Sequence, residues 1–138
     1  MRTFWDTQPV PQDGAVYESG KDIEREKVVV HEPMKLPDGF SWDHPKLDEA
    51  HTLLNDHYVG DETFRLSYSP ETLKWATETP GHENKGIRHD ESGALIGYIS
   101  SVPIKVRVCE DILPMVQINF LCVHPDYRDR GFAPILIS

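Results

Sequence analysis

The chain has 138 residues, of which 38% are hydrophobic and 27% charged, a composition that suits one globular domain with its own core. A net charge of −9 argues against a phosphate-rich nucleic acid as a partner of the whole chain. No apolar run approaches the roughly 20 residues of a membrane span and no signal peptide follows Met1, so we expect a cytoplasmic protein without a membrane span.

The two cysteines, Cys109 and Cys122, provide neither a disulfide framework nor the spacing of a metal site. Both lie in apolar stretches that resemble strands, so we expect them to be buried and to behave as small hydrophobic residues. The sequence therefore predicts no bound metal.

Residues 1–45 show little periodicity, and their prolines bias the chain away from helix. Such a segment cannot make a core of its own. We therefore expect an extended N-terminal arm over residues 1–45 that packs on a domain formed by residues 46–138, with residues 28–30 as a candidate short strand. The aromatic residues that would anchor this arm are Phe4, Trp5, Phe40 and Trp42.

Two helices are predicted next. The first starts near Asp43 as its N-cap, with Pro45 just inside, and ends around Val59 and Gly60. Its apolar face is formed by Leu47, Ala50, Leu54 and Tyr58. Residues 64–68 alternate in polarity, which fits a short strand or a loop. The second helix starts at the N-cap Ser69 and ends at residues 79–81.

Strands are predicted from residue 85 onward. Residues 95–99 are apolar and should form a central strand that is buried on both faces, which residues 100–103 should break or bend. The remaining predicted elements are a strand at 86–89, a hairpin turn at 90–93, alternating residues at 104–108 and an apolar strand at 115–123. This order predicts an α+β domain with a mostly antiparallel sheet.

Residues 119–138 contain the strongest functional signal. An apolar strand stops at His124, a polar turn follows, and a new apolar segment starts a helix after Gly131. A turn that opens a helix gathers unpaired backbone N–H groups, which suits a phosphate, although a solvated charged turn is the alternative. Because the chain stops inside a helix that has barely begun, we expect a C-terminally incomplete domain.

Six stretches together resemble one family. They are FWDTQPVP at 4–11, LPDGFSWD at 36–43, LLNDHYV at 53–59, FRLSYSPE at 64–71, VQINFLCVH at 116–124 and APILI at 133–137. In this order they resemble the N-terminal half of glycylpeptide N-tetradecanoyltransferases, the protein N-myristoyltransferases.

The resemblance implies a fold and a reaction. The family consists of two related halves, each with the mostly antiparallel mixed sheet and flanking helices of GCN5-type acetyltransferases, and the first half carries most of the acyl-CoA site. The reaction transfers a tetradecanoyl group from myristoyl-CoA to the N-terminal glycine amine of a protein. The resemblance therefore implies myristoyl-CoA as the acyl donor and, as partners, peptides with an N-terminal glycine and a C-terminal half-domain.

The resemblance also implies site residues. The backbone N–H groups of Phe120 and Leu121, released from the sheet by a bulge, would form an oxyanion hole; ordinary core residues are the alternative. The residues expected to contact the acyl-CoA are Thr3, Phe4, Trp5, Phe120, Leu121, Cys122, Val123, Arg128, Asp129, Arg130, Gly131, Phe132 and Ala133. Those expected along the peptide path are Tyr58, Val59, Phe64 and Leu66, and the acidic Asp61 and Glu62 beside them would favour a peptide with a lysine.

The sequence departs from the family in the turn, where Asp126 and Asp129 oppose phosphate binding and Gly131 stands where a basic residue is common. The motif RDRGFA at 128–133 is closer to the signature of general acetyltransferases. A GCN5-type acetyltransferase and a non-catalytic module that binds acyl-CoA or a partner chain therefore stay open. In the family the general base is the protein's C-terminal carboxylate, and no motif marks His82, His89 or His124 as a substitute.

Overall fold

The described part of the chain is built on one four-stranded antiparallel sheet. The computed structural model describes residue 16, residues 34–60 and residues 63–138. The strands lie in the sheet in chain order, which confirms the predicted α+β class. The elements are β1 (Phe40–Asp43), α1 (Leu47–His57), α2 (Pro70–Thr77), β2 (Glu83–His89), β3 (Leu95–Val108), β4 (Asp111–Val123), a 3-10 helix (Pro125–Tyr127) and α3 (Phe132–Ile137).

The chain enters the sheet at β1, where the sequence predicted the start of a helix. That prediction is wrong, because Asp43 ends β1 and α1 begins only at Leu47. The Asp43 carboxylate is an ion-pair partner rather than a cap, and it accepts a hydrogen bond from Nε of Arg88 on β2 at 2.9 Å. Glu49 in the first turn of α1 accepts from the same guanidinium at 3.2 Å. Arg88 thus joins β2 to both β1 and α1.

The residues expected to form an arm contribute differently. Phe40 packs against Phe132 of α3, with their ring centroids 4.7 Å apart, as an anchor should. Trp42 is 47% exposed, so its prediction as an anchor is wrong. Phe4, Trp5 and the candidate strand at residues 28–30 lie outside the described residues. The division at residue 45 stays a prediction.

Both helices end close to the predicted positions. The helix α1 ends at His57 with Tyr58 as its C-cap, slightly before the predicted stop, and Gly60 pairs instead with Arg65 in an isolated bridge. The cap of α2 is confirmed, because Ser69 Oγ accepts a hydrogen bond from the Thr72 N–H at 3.1 Å.

Strand β3 is longer than predicted. Residues 95–99 are central and buried as expected, but residues 100–103 do not break the strand, which continues to Val108. The pairing of β3 with β2 stops at Ser101, so Pro103 lies where β3 has only β4 as a neighbour. A proline is tolerated at such a position because its missing N–H costs no ladder bond on the open side.

The two cysteines have different environments. Cys122 is buried on β4, as predicted. Cys109 is exposed in the turn between β3 and β4, where its φ is 51°, so the prediction that it is buried is wrong. The turn is a loop tip, and a loop tip is normally open to solvent.

Two hydrophobic clusters lie on opposite faces of the sheet. Tyr98 belongs to the cluster under α1 and α2, whereas Ile99, the next residue on β3, belongs to the cluster under α3. Successive side chains of a strand point to opposite faces, which separates the two clusters. In the second cluster Leu136 lies against Gly97, where an added Cβ would be 3.1 Å from Leu136 Cδ1.

The outer part of the β3–β4 hairpin exposes apolar side chains, and β4 is the edge strand of the described sheet. The exposed residues of this apolar ribbon are Val108, Ile112, Leu113, Met115, Val116 and Ile118. A long apolar edge strand is unusual on an unpartnered surface. Within the described residues, no helix is both long and apolar enough to cross a membrane.

We expect Leu73→Ala to lower the free energy of unfolding by about 2–5 kcal/mol, because Leu73 on α2 is fully buried and its truncation leaves a cavity. Trp75→Ala on the same helix is the control, since Trp75 is 79% exposed and should change stability by about 0.5 kcal/mol or less. Urea unfolding followed by circular dichroism measures both, and equal effects would contradict the assigned packing of α2.

Candidate functional site

The pairing of β3 with β4 is interrupted by a bulge. Ile99 alone occupies the interval on β3 that Phe120 and Leu121 occupy together on β4. Phe120 has a φ of 53°, a left-handed conformation that occurs in one type of bulge and that costs a non-glycine residue on the order of 1–3 kcal/mol. The bulge expected at these two residues is therefore present.

Aromatic packing holds Phe120 in this conformation. Its side chain is only 8% exposed, and its ring meets Tyr68 edge-on with centroids 5.3 Å apart. The ring of Tyr58 lies 5.9 Å from that of Phe120. Burial raises the pKa of Tyr58, while a hydrogen-bonding contribution from the Phe120 backbone N–H acts in the opposite direction. Tyr58 and Tyr68 thus both pack on Phe120 at the bulge.

A cavity of about 590 Å³ opens directly beside the bulge. It lies between the end of β4, the polar turn that follows and the end of α1. Its lining residues are His57, Tyr58, Leu121, Cys122, Val123, Tyr127, Arg128, Asp129, Gly131, Phe132, Ala133 and Pro134. Eight of the predicted acyl-CoA contacts lie in this lining, whereas the side chains of Phe120 and Arg130 do not.

The turn that closes the cavity has a defined backbone. His124 Nδ1 accepts a hydrogen bond from the Asp126 N–H at 3.3 Å, and the 3-10 helix follows at once. Asp129 and Gly131 have φ values of 59° and 82°. An added Cβ at Gly131 would meet nothing within 4 Å, so this glycine is needed for its conformation and leaves the approach to the turn open.

Arg128 connects this turn to the rest of the site. Its Nε donates to the carbonyl of Val123 at 3.0 Å and its Nη2 donates to the carbonyl of His57 at 2.7 Å. The second bond satisfies a carbonyl at the C-terminus of α1. A guanidinium has five N–H donors, so three remain for a ligand. Arg130 instead lies over the ring of Tyr127, 5.4 Å from its centroid.

Comparison with known proteins decides the family. The model of the N-terminal domain of myristoyl-CoA:protein N-myristoyltransferase matches residues 21–138. The chain belongs to the protein N-myristoyltransferase family. Glycylpeptide N-tetradecanoyltransferase 2 of Bos taurus is 44% identical over 97% of this chain and 29% of its own length. The Dictyostelium discoideum relative is 45% identical over 98% of this chain and 36% of its own length. The chain thus spans about a third of these relatives.

Solved structures agree with this assignment. Saccharomyces cerevisiae N-myristoyltransferase with bound myristoyl-CoA superposes with a TM-score of 0.73 at 32% identity, over 97% of this chain and 35% of that one. A GCN5-related glucosamine N-acetyltransferase region of a fungal beta-N-acetylglucosaminidase gives a TM-score of 0.57 at 19% identity over 74% of this chain and 12% of that one. The second likeness concerns the fold alone and confirms the GCN5-related architecture.

Of the four residues predicted for a myristoyltransferase peptide path, one lines the cavity and three do not. Tyr58 lines the cavity. Val59, Phe64 and Leu66 are exposed on the loop that follows α1, and the Leu66 N–H donates to the Val59 carbonyl at 2.9 Å. The residues predicted for this family's site that lie outside the described part of the chain are Thr3, Phe4, Trp5, Asp61 and Glu62.

Sequence reasoning missed His57, which lines the cavity of this N-myristoyltransferase homologue. Its ring centroid lies 4.4 Å from that of His124. Its position directly before Tyr58, at the end of a helix assigned to the site, is the one signal that could have revealed it. Within residues 34–60 and 63–138, no group of three or more side chains is arranged to hold a metal ion.

Cys122 lines the cavity, but its thiol should have low reactivity. Burial raises the pKa of its thiol to about 11, and Sγ lies 4.0 Å from the Leu53 carbonyl. The thiolate is the reactive form of cysteine, so Cys122 should not act as a nucleophile at neutral pH.

We expect one thiol of the folded protein to react with a disulfide reagent at pH 8 and both to react after denaturation, because Cys109 is exposed and Cys122 is buried. The Cys109→Ser variant should be almost unreactive when folded. Fast reaction of that variant would contradict the burial and the raised pKa of Cys122.

Proposed function

We propose that this chain forms the acyl-CoA-binding part of an enzyme that transfers a tetradecanoyl group from myristoyl-CoA to an N-terminal glycine amine. The observation that carries the proposal is the coincidence of the bulge with the cavity. Leu121 belongs both to the bulge and to the cavity wall, and the turn from Arg128 to Ala133 forms the opposite wall. The likeness to a yeast enzyme with bound myristoyl-CoA supports the choice of ligand.

The bulge supplies what the chemistry needs. The amine nitrogen attacks the thioester carbonyl carbon, a C–N bond forms, and the carbonyl oxygen becomes an oxyanion. The C–S bond then breaks, the amine loses a proton and the CoA sulfur leaves as thiol. The backbone N–H groups of Phe120 and Leu121 are the proposed donors to the oxyanion.

The turn is the proposed site of the CoA diphosphate. The remaining donors of Arg128, the charge of Arg130 and the backbone N–H groups from 128 to 133 would bind it, with Gly131 leaving the approach open. Cys122, Val123 and Phe132 supply apolar wall. Asp129 opposes the diphosphate charge. Thr3, Phe4 and Trp5 remain proposed contacts that would close over the nucleotide.

The peptide and the rest of the protein are proposed partners. Tyr58 places the peptide path next to the thioester, and Val59, Phe64 and Leu66 extend it along an exposed loop. The relatives are about three times as long as this chain. We propose that the C-terminal half-domain they contain covers the apolar ribbon of β3 and β4, because that ribbon exposes large aliphatic side chains beside an open strand edge.

A GCN5-type acetyltransferase is the second candidate. The motif RDRGFA at 128–133 and the fold of the glucosamine N-acetyltransferase region favour it. The two candidates differ in the acyl chain that the cavity has to bind. A third possibility, a module that binds acyl-CoA without turnover, differs from both in catalysis but not in binding.

We expect myristoyl-CoA to bind this chain at least about tenfold more tightly than acetyl-CoA, because burying even two of the roughly twelve additional methylenes contributes about 0.8 kcal/mol each. Isothermal titration calorimetry measures both ligands, with free CoA as a reference. Ala133→Trp, which fills the cavity, should abolish binding, and Trp75→Ala should not change it. Equal or absent binding of myristoyl-CoA would contradict the myristoyl assignment and favour the second candidate.

We expect loss of an oxyanion donor to lower kcat by about 10²–10³-fold with little change in myristoyl-CoA affinity. An amide-to-ester replacement at Leu121 removes only the backbone N–H, and the same replacement at Glu91, in the distant β2–β3 turn, is the control. Turnover is measured on this chain extended by the remaining two thirds of the Dictyostelium relative. Unchanged kcat with the ester at Leu121 would exclude that N–H from the oxyanion hole.

A further inference from the structure

His57 holds a fixed place at the mouth of the cavity. It is the last residue of α1, and Arg128 Nη2 binds its carbonyl oxygen at 2.7 Å. This bond ties the end of α1 to the turn proposed for the diphosphate, beside the cavity. Both residues belong to its lining.

The cavity is short of positive charge for the ligand proposed for it. Among its lining residues only Arg128 and His57 can carry a positive charge, while Asp129 carries a negative one. The two carbonyl bonds of Arg128 already use two of its donors. Arg130, which is also proposed for the diphosphate, lies over the Tyr127 ring outside this lining, so the imidazole of His57 is the group in the lining that can add positive charge.

The surroundings of His57 favour its neutral form. Burial lowers its pKa from the ordinary value of 6.5, the neighbouring His124 lowers it further, and Arg128 and Arg65 act in the same direction. Asp56 on the same helix raises it but does not reverse the direction. The ring of His124 lies with its centroid 4.4 Å from that of His57, and the guanidinium of Arg128 binds the His57 carbonyl, so both of these groups that lower the pKa of His57 lie next to it.

We propose that His57 is a phosphate-binding residue of this site, which takes up a proton when the diphosphate of acyl-CoA binds. This inference rests on the proposed function. A bound dianion supplies the opposite charge that favours the imidazolium and offsets the repulsion from Arg128 and His124. The proton uptake gives the cavity a second cation beside Arg128 when the anion is bound.

The direction of the pH dependence follows from linkage. When ligand binding raises the pKa of a group, the group's full contribution to affinity is present at a pH below its pKa in the free protein. That contribution is lost as the pH rises through its pKa in the complex. For His57 the free pKa lies below 6.5. Affinity for the ligand should therefore fall between about pH 6 and pH 8 in the wild-type protein, as the bound imidazolium loses its proton.

Calorimetric titration with myristoyl-CoA, in buffers of different ionisation enthalpy at pH 7, tests the proposal. We expect uptake of a substantial fraction of a proton by the wild type and a clear reduction with His57→Gln. At pH 6 His57→Gln should weaken binding by about three- to tenfold, and at pH 8 both proteins should bind alike. His82→Gln, a substitution outside this cavity, is the matched control. Uptake that persists in His57→Gln belongs to the phosphates of the ligand.

Two further measurements keep the outcome decisive. The Cε1–H resonance of His57, followed by NMR against pH in the wild type, should titrate at higher pH with the ligand bound than without it. The 3′-dephospho form of myristoyl-CoA should cause the same rise in the titration midpoint of His57. If this form caused no rise, the assignment of His57 to the diphosphate would be overturned. Equal proton uptake and equal affinity of wild type and His57→Gln would overturn the inference and leave the proposed function intact. Absence of myristoyl-CoA binding by the wild type would overturn both.

Discussion

The site depends on one mismatch between two strands: β4 places two residues opposite a single residue of β3. The mismatch forces Phe120 into a left-handed backbone conformation, and a buried aromatic packing with Tyr58 and Tyr68 holds it there. A regular register would direct the N–H groups of this stretch into the sheet or to its open edge with no cavity wall behind them. The bulge places Leu121 in the wall of the cavity, which Tyr58 also lines. Core packing thus maintains the backbone geometry that the proposed chemistry requires.

Arg128 is the second constraint, and it explains why the parts of the site stay together. Its guanidinium connects the end of β4, through Val123, with the end of α1, through His57. The turn proposed for the diphosphate is therefore attached directly to the helix end that precedes Tyr58, a residue of the proposed peptide path. The inference about His57 belongs to the same arrangement, since His57 and Arg128 both line the cavity and the guanidinium binds the His57 carbonyl.

Patterns of the sequence predicted the class of fold, α2 with its Ser69 cap, and the buried central strand at residues 95–99. They misplaced the start of α1, because Asp43 had two possible partners and the choice depended on Arg88, which lies 45 residues away. They also predicted a break or bend at residues 100–103, because proline is usually excluded from a strand with neighbours on both sides. Local sequence does not show that β3 has lost β2 as a neighbour before it reaches Pro103. The bulge came from resemblance to a family, since Phe120 and Leu121 carry no side-chain signature of it. His57 was missed because its role comes from a cavity wall shared by three separate segments.

The central claim is that the bulge and the turn form one acyl-CoA site. Amide chemical shifts measure this most directly. In a ¹⁵N-labelled sample of this chain titrated with a non-hydrolysable myristoyl-CoA thioether, the largest shifts should occur at Phe120, Leu121 and residues 128–133, which saturate together. Amides around the separate cavity lined by Leu47 and His51 should stay in place. Shifts confined to that second cavity, or shifts of the turn without those of Phe120 and Leu121, would contradict the account.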